Sequence, residues 1–244
     1  ASCKILSSHT HSVDSESWDM RLLLDLQGAQ TESRFRGIGR HTRALAAAVV
    51  ERGGEHHINV MFNVMLGANL GSLKEQFSRL LPPERILVFD GVSPAAAYDQ
   101  GNDWRIRASE LAREAFIADQ KPDVLHIGSL FEGFLDDAVL SIDQTTIRHA
   151  TCTTLYDLIP LINPELYLAA QGPRRQYYRR AQTLKRSDML LALSESAKQE
   201  AVDCLDFDPA QITVTGCGVD ARFRRLESAP LRDAVLLRRC GIVR

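Results

Sequence analysis

The chain has 244 residues, 45% of them hydrophobic and 25% charged, with a formal net charge of −2. That size supports one sizeable core or two small ones, and the composition is that of an ordinary globular protein. The slight acidity argues against a general nucleic-acid binder, and no apolar run is long enough to cross a bilayer.

Residues 1–19 are rich in Ser, His and Asp and have no apolar period. They read as a linker or an expression remnant. The first residue is not Met, which suggests excision from a longer chain. From Met20 a strand/helix alternation begins. Residues 21–26 make the first strand. Ile38, Thr42, Leu45, Ala46, Val49 and Val50 then recur at helical spacing, as far as Gly53-Gly54. Residues 58–62 form the second strand, 72–81 a helix stopped by Pro82-Pro83, and 86–89 the third strand. Trp104, Ala108, Leu111, Ala112, Ala115 and Phe116 form another helical stripe, ended by Pro122. Residues 124–127 and 151–155 are buried strands. Residues 171–186 form a helix dense in Arg and Tyr. Residues 189–193 are a strand, and Ser196 with Gln199 fits a capping box for the helix after it. Residues 212–214 are the last strand.

Short apolar runs separated mostly by helices predict an α/β fold. It is a Rossmann-like, doubly wound, mostly parallel sheet with helices on both faces. Ligands of such sheets bind beyond the carboxyl ends of the strands. That rule gathers residues 28–40, 128–133, 156–161 and 216–220. The five cysteines (Cys3, Cys152, Cys204, Cys217, Cys240) are scattered, without metal-ligand spacing. They read as reduced thiols of a cytosolic protein, with no metal and no cofactor expected.

The stretch Arg36-Gly37-Ile38-Gly39-Arg40 joins the first strand to the first helix. Glycines let backbone approach a ligand, helix-start N–H groups lack partners, and the arginines add positive charge. The pattern suits a phosphate or a negatively charged sugar derivative. It also suits a tight turn with a helix packed closely on the sheet. A dinucleotide fingerprint is incomplete, because Thr42 stands where its third glycine belongs and the second strand runs into Asn63 rather than an acid. No Gly-Lys-Ser/Thr of a P-loop occurs.

The fourth strand runs through Pro122-Asp123-Val124-Leu125-His126-Ile127-Gly128-Ser129 into Leu130-Phe131-Glu132-Gly133. The fifth runs into Tyr156-Asp157-Leu158-Ile159-Pro160. The last runs into Thr215-Gly216-Cys217-Gly218-Val219-Asp220, then Phe223. With the Gly-Ile-Gly-Arg loop ahead of them, this order resembles the N-terminal, acceptor-side half of glycosyltransferase family 4 enzymes of the GT-B fold. It is most like the bacterial mannosyl- and rhamnosyltransferases that build O-antigen and other surface polysaccharides. The resemblance spans about residues 20–244. It implies an N-terminal Rossmann-like domain over 20–228 and an inter-domain helix over 229–244, leading to a donor-binding domain with no counterpart in the chain. It implies retaining transfer from a nucleotide-sugar donor to a saccharide or lipid-linked saccharide acceptor, with no nucleic-acid partner. The place implied is the cytoplasm, or the inner face of the inner membrane as a peripheral protein.

The resemblance also implies roles for residues. Gly37, Ile38, Gly39 and Arg40 match the loop that approaches the donor diphosphate, with Arg40 steadying charge on the leaving phosphate. His126 matches a histidine near the reacting sugar; its other reading is a histidine bonded to backbone at a strand end. Asp157 matches the aspartate of a family His-Asp-Leu-Ile-Pro motif, in which Tyr156 replaces the common histidine. Asp157 orients an acceptor hydroxyl or caps a local turn. Glu132, with Tyr156 and Asp157, is a candidate for the acceptor's hydroxyls. The Arg/Tyr helix presents Arg175, Arg179 and Arg186 on one face, either to solvent or to anionic lipid. Two other functions stay open on the residues: a nucleotide-dependent oxidoreductase on a Rossmann sheet, and a non-catalytic module that binds glycan or a partner enzyme.

Overall fold

The structure is a computed structural model that describes residues 19–142, 149–220, 223 and 230–242. The predicted N-terminal linker lies outside these residues except for Asp19. The strands are β1 (Arg21–Asp25), β2 (His57–Asn63), β3 (Ile86–Phe89), β4 (Val124–Ile127), β5 (Ala150–Leu155), β6 (Met189–Ala192) and β7 (Ile212–Val214). They form one seven-stranded sheet in the order β3-β2-β1-β4-β5-β6-β7. Every pairing is parallel. The expectation of a mostly parallel sheet is therefore met in full, with β4 at the middle and β1 beside it.

Strand residues alternate between faces, and both faces of the central strands are apolar. Leu23, Leu125 and Ile127 lie on one side, and Leu24, Val60 and Phe62 on the other. Both sides are covered, so β1 reads as a nearly continuous run of leucines. Helices α1 (Gly37–Arg52) and α2 (Leu70–Phe77) supply Ala46, Leu73 and Phe77 to the second side. Helices α3 (Asp103–Gln120), α6 (Gln171–Leu184) and α7 (Glu195–Leu205) supply Ile117, Leu184, Ala201 and Leu205 to the first. Between β5 and α6 lie two single turns, α4 (Ile159–Ile162) and α5 (Pro164–Tyr167), which the periodicity did not show. Helix α8 (Pro230–Arg239) matches the helix expected near the end of the chain.

Local chemistry sets the boundaries. Lys121 ends α3 with φ 49°, and its N–H donates to the Ala118 carbonyl just before Pro122. Helix α2 starts and stops earlier than 72–81, because Ser78 to Leu81 turn back on residues 74–77 ahead of Pro82. The α7 cap is Ser194 rather than Ser196. Ser194 is extended (φ −154°, ψ 162°) and accepts from Ala197 N–H at 3.1 Å. Ser196 already lies in the helix and donates to Glu200.

The link from β4 to β5 has no helix or strand among its described residues. Its early part is held by buried polar groups. Gln27 Nε2 donates to the Val139 carbonyl at 2.8 Å, and Val139 N–H returns a bond to Gln27 Oε1 at 2.9 Å. Arg113 Nη1 donates to the Ser141 carbonyl at 2.9 Å. Asn63 Nδ2 reaches both Gln27 Oε1 and the Asp137 carbonyl.

Candidate functional site

The sheet's strand order reverses between β1 and β4, so the loops leaving those strands diverge and open a crevice at the carboxyl rim. The floor of that crevice is closed by small residues. A Cβ on Gly28 would lie 2.7 Å from Ser129 Cβ, and one on Gly128 would lie 2.5 Å from Thr42 Cγ2. The glycines thus let the two loops and α1 touch.

Helix α1 starts in this crevice. Its N-cap, Arg36, is extended (φ −108°, ψ −178°), and no side chain caps the first turn. Unpaired N–H groups therefore point outward at the positive end of the helix. Arg36, Gly37 and Arg40 are exposed. The two glycines of the loop have different tasks. Gly37 has open space where a Cβ would sit, whereas a Cβ on Gly39 would lie 2.4 Å from Arg34 Cα and 2.5 Å from the Ser33 carbonyl. Gly39 therefore admits the short 3-10 turn Glu32–Phe35, and only Gly37 faces the open side. Gly39→Ala is expected to cost about 1–3 kcal/mol by forcing that turn away. Gly37→Ala should change stability by only a few tenths of about 1 kcal/mol. Urea denaturation of both variants checks the contrast, and equal losses would contradict it.

Below the helix start lies a polar cluster. The Tyr156 hydroxyl is 3.2 Å from the Ile38 carbonyl and 3.1 Å from the Gly128 carbonyl. It is also 3.2 Å from His41 Nδ1 and 3.2 Å from Thr42 Oγ1. Burial pushes this phenol up to about 12, partly offset by the contact with the Thr42 hydroxyl. Tyr156 turns inward and ties the end of β5 to α1 and β4. His126, on β4, is buried, and its Nε2 lies 2.9 Å from Thr154 Oγ1. Burial lowers its pKa to about 4, opposed by the nearby Asp25 carboxylate and assisted by His41. The ring is therefore neutral at pH 7.

Glu132 reaches the same rim but is buried. Its oxygens accept from Ser33 Oγ at 3.1 Å and Ser129 Oγ at 2.9 Å. Burial pushes the carboxyl up, and hydroxyls of Ser33, Ser129 and Thr31 pull it partway back. Asp157 is exposed, and its Oδ1 accepts from Ile159 N–H at 3.2 Å, as a turn-forming aspartate does. Its Oδ2 has no partner among the described residues. The structure brings Gly37, Ile38, Gly39, Arg40, His126, Glu132, Tyr156 and Asp157 to one rim. It does not bring Arg175, Arg179 and Arg186 there. Arg179 pairs with Glu110 at 2.6 Å, Arg175 lies 3.9 Å from Asp103, and Arg186 donates to the Ile142 carbonyl.

A hollow of 440 Å³ beside the α1 start is lined by Ala29, Arg34, Phe35, Gly39, Arg43, Ala68 and Asn69. A larger one, of 520 Å³, lies at the opposite rim around Arg21, Lys121, Asp123 and Asp188, away from these groups. No cluster of His, Cys, Asp and Glu among the described residues could hold a metal ion. No described helix is long and apolar enough to cross a membrane.

Sequence reasoning missed three contributors. Asp25 and Arg113 form a buried ion pair at 2.6 Å that braces the loops below the rim. His41 lies among the rim's hydrogen bonds. Asp25 left a trace as the one acid inside an apolar strand; Arg113 and His41 left none, because a helix period does not say which polar residue turns inward.

A profile of Glycosyltransferase Family 4 matches residues 35–223. A serotype-specific mannosyltransferase WbdA of Escherichia coli is 34% identical over 205 residues, covering 84% of the chain. Two further Escherichia coli proteins of that description are 32% and 31% identical, covering 66% and 73% of the chain. The chain spans 24%, 20% and 22% of these relatives' own lengths.

Proposed function

The chain belongs to glycosyltransferase family 4, and from that premise we propose that it forms the acceptor side of a retaining transferase. In this reading a mannosyl or related unit passes from a nucleotide-sugar donor to a growing surface polysaccharide, carried on a lipid. The relatives' described activity, mannosyl transfer, supports the sugar. The observation that carries the reading is the start of α1, where uncapped N–H groups lie between exposed Arg36 and Arg40 in the crevice beside β1 and β4. A leaving diphosphate is the group such a site fits.

As the bond from the anomeric carbon to phosphate breaks, negative charge grows on the phosphate oxygens. Fixed donors are worth most where charge appears. Gly37 and Ile38 N–H groups and the Arg40 guanidinium are assigned to that charge. Retention requires the acceptor hydroxyl to enter on the face the phosphate leaves. Asp157, with one oxygen held by its own turn and the other free, is assigned to orient that hydroxyl. Glu132 and Tyr156 are assigned to support from below, since their polar atoms already bond within the protein. In a protein of the relatives' size, a second domain would grip the donor from the other side. Membrane attachment through Arg175, Arg179 and Arg186 is not part of the proposal, because those cations lie against groups of the protein itself.

The test is a transfer assay on a protein of the relatives' length that contains this chain, with a panel of nucleotide hexoses and a short α-mannoside acceptor. Product with the donor's anomeric configuration is expected. An inverted product would overturn retention, and transfer from no donor would overturn the reading. Arg40→Ala should lower turnover by about a hundredfold, with little change in acceptor KM. Unchanged turnover with a raised acceptor KM would move Arg40 to the acceptor.

A further inference from the structure

His41 lies one turn into α1, half-buried, where the helix meets the end of β5. Its ring stands edge-on to Tyr156, with centroids 5.5 Å apart and planes at 83°. Nδ1 is 3.2 Å from the Tyr156 hydroxyl. That hydroxyl and Thr42 Oγ1 both reach the Gly128 carbonyl, and the hydroxyl also reaches the Ile38 carbonyl.

Carbonyls only accept. The arrangement that gives both carbonyls a side-chain donor has Thr42 donating to Gly128 and Tyr156 to Ile38. The phenol oxygen then accepts from Nδ1, and each carbonyl keeps a side-chain donor. A neutral imidazole carries one N–H, so Nε2 is left with its lone pair. Nε2 has no partner among the described residues and is not closed off from solvent. An acceptor nitrogen of fixed direction thus stands at the rim, a residue away from exposed Arg40.

We infer that His41 is a substrate-contacting residue of this site, whose Nε2 accepts a hydrogen bond from a hydroxyl of the bound saccharide. This rests on the rim being the sugar-transfer site proposed above. The proton count selects the ligand's chemistry. A diphosphate at neutral pH has no proton for Nε2 and is repelled by a lone pair, whereas every free sugar hydroxyl is a donor. Burial lowers the His41 pKa, which keeps the ring neutral and the lone pair available. The rim is then divided: Arg36, Arg40 and the helix start take the anionic part of the substrates, and His41 reads a neutral hydroxyl.

Two measurements on the 244-residue chain test this. Long-range proton–nitrogen spectra of the histidine rings should show His41 protonated on Nδ1 and bare on Nε2. Excess methyl α-mannopyranoside should shift the Nε2 resonance. His41→Asn keeps an N–H for Tyr156 but has no Nε2. It should melt as the wild type does and bind the mannoside about fivefold more weakly. Among mono-deoxy mannosides, one should lose about the same factor with wild type and nothing further with His41→Asn. An Nε2-protonated ring, equal binding by His41→Asn, or an Nε2 resonance unmoved by a mannoside that binds would overturn the assignment of His41 alone. The spectra decide even if the variant fails to fold. A wild-type chain that binds no mannoside would overturn the rim reading and the assignment with it.

Discussion

Asp25→Ala is expected to destabilise the fold by about 3–5 kcal/mol, a large part of the roughly 5–15 kcal/mol that keeps a domain folded. Asp25 is 1% exposed and Arg113 0%. Arg113 Nε and Nη2 both donate to Asp25 Oδ2, at 3.0 and 2.6 Å. Gln27 donates to the same carboxylate from its backbone N–H at 3.0 Å and from Nε2. Losing the carboxylate leaves a guanidinium out of water with Glu114 no nearer than 3.7 Å. It also frees Gln27, whose other bonds hold Val139. The cost lies in the stranded charge rather than in the lost attraction. The double variant Asp25→Leu with Arg113→Met should therefore be more stable than Asp25→Ala, although it changes more atoms. Urea denaturation of the single and double variants measures this. Additive losses, or a loss below about 1 kcal/mol for Asp25→Ala, would show that water reaches the pair.

Acid should weaken the fold above the pH at which ordinary carboxylates protonate. His126 has a folded pKa of about 4, against 6.5 for an unperturbed imidazole. The unfolded chain therefore binds a proton between those values that the folded chain refuses. Stability is full above pH 6.5 and falls as the pH drops toward 4, by up to about 3 kcal/mol at about 1.4 kcal/mol per pH unit. His41, also lowered by burial, adds in the same direction. Glu132 and Asp136 act oppositely, since burial raises both, so their share is largest in acid and lost as the pH rises. Subtracting the curve of His126→Gln isolates the histidine. Parallel curves for the two proteins between pH 6.5 and 4 would show that His126 is solvated in the native state.

Both predictions concern buried groups, Asp25 with Arg113 and His126, and this has a functional consequence. The function proposed above needs the helix start, the Asp157 carboxylate and a sugar held within hydrogen-bond reach of one another. The crevice loops have little regular structure to hold them. Their rigidity comes from Asp25, Arg113 and Gln27 on one side and from Tyr156, Thr42 and His126 on the other.

The sequence by itself determined the sheet. Every strand was legible to within a residue or so at its ends, because a parallel strand buried on both faces reads as a mostly apolar and β-branched run. It also determined the rim, because glycines and charged residues gather where strands end. Only the tertiary structure decided what each rim residue does. Gly37 and Gly39 look alike in the chain, but one faces open space and the other the backbone of Ser33 and Arg34. Tyr156 and Glu132 read as outward groups, yet both turn inward. The arginines of 171–186 read as a basic face, yet Arg179 closes on Glu110 from a separate helix. Periodicity records which positions avoid water. It does not record which polar side chain meets another from 69 residues away, as Arg179 meets Glu110, because that pairing is set by how the helices cross the sheet.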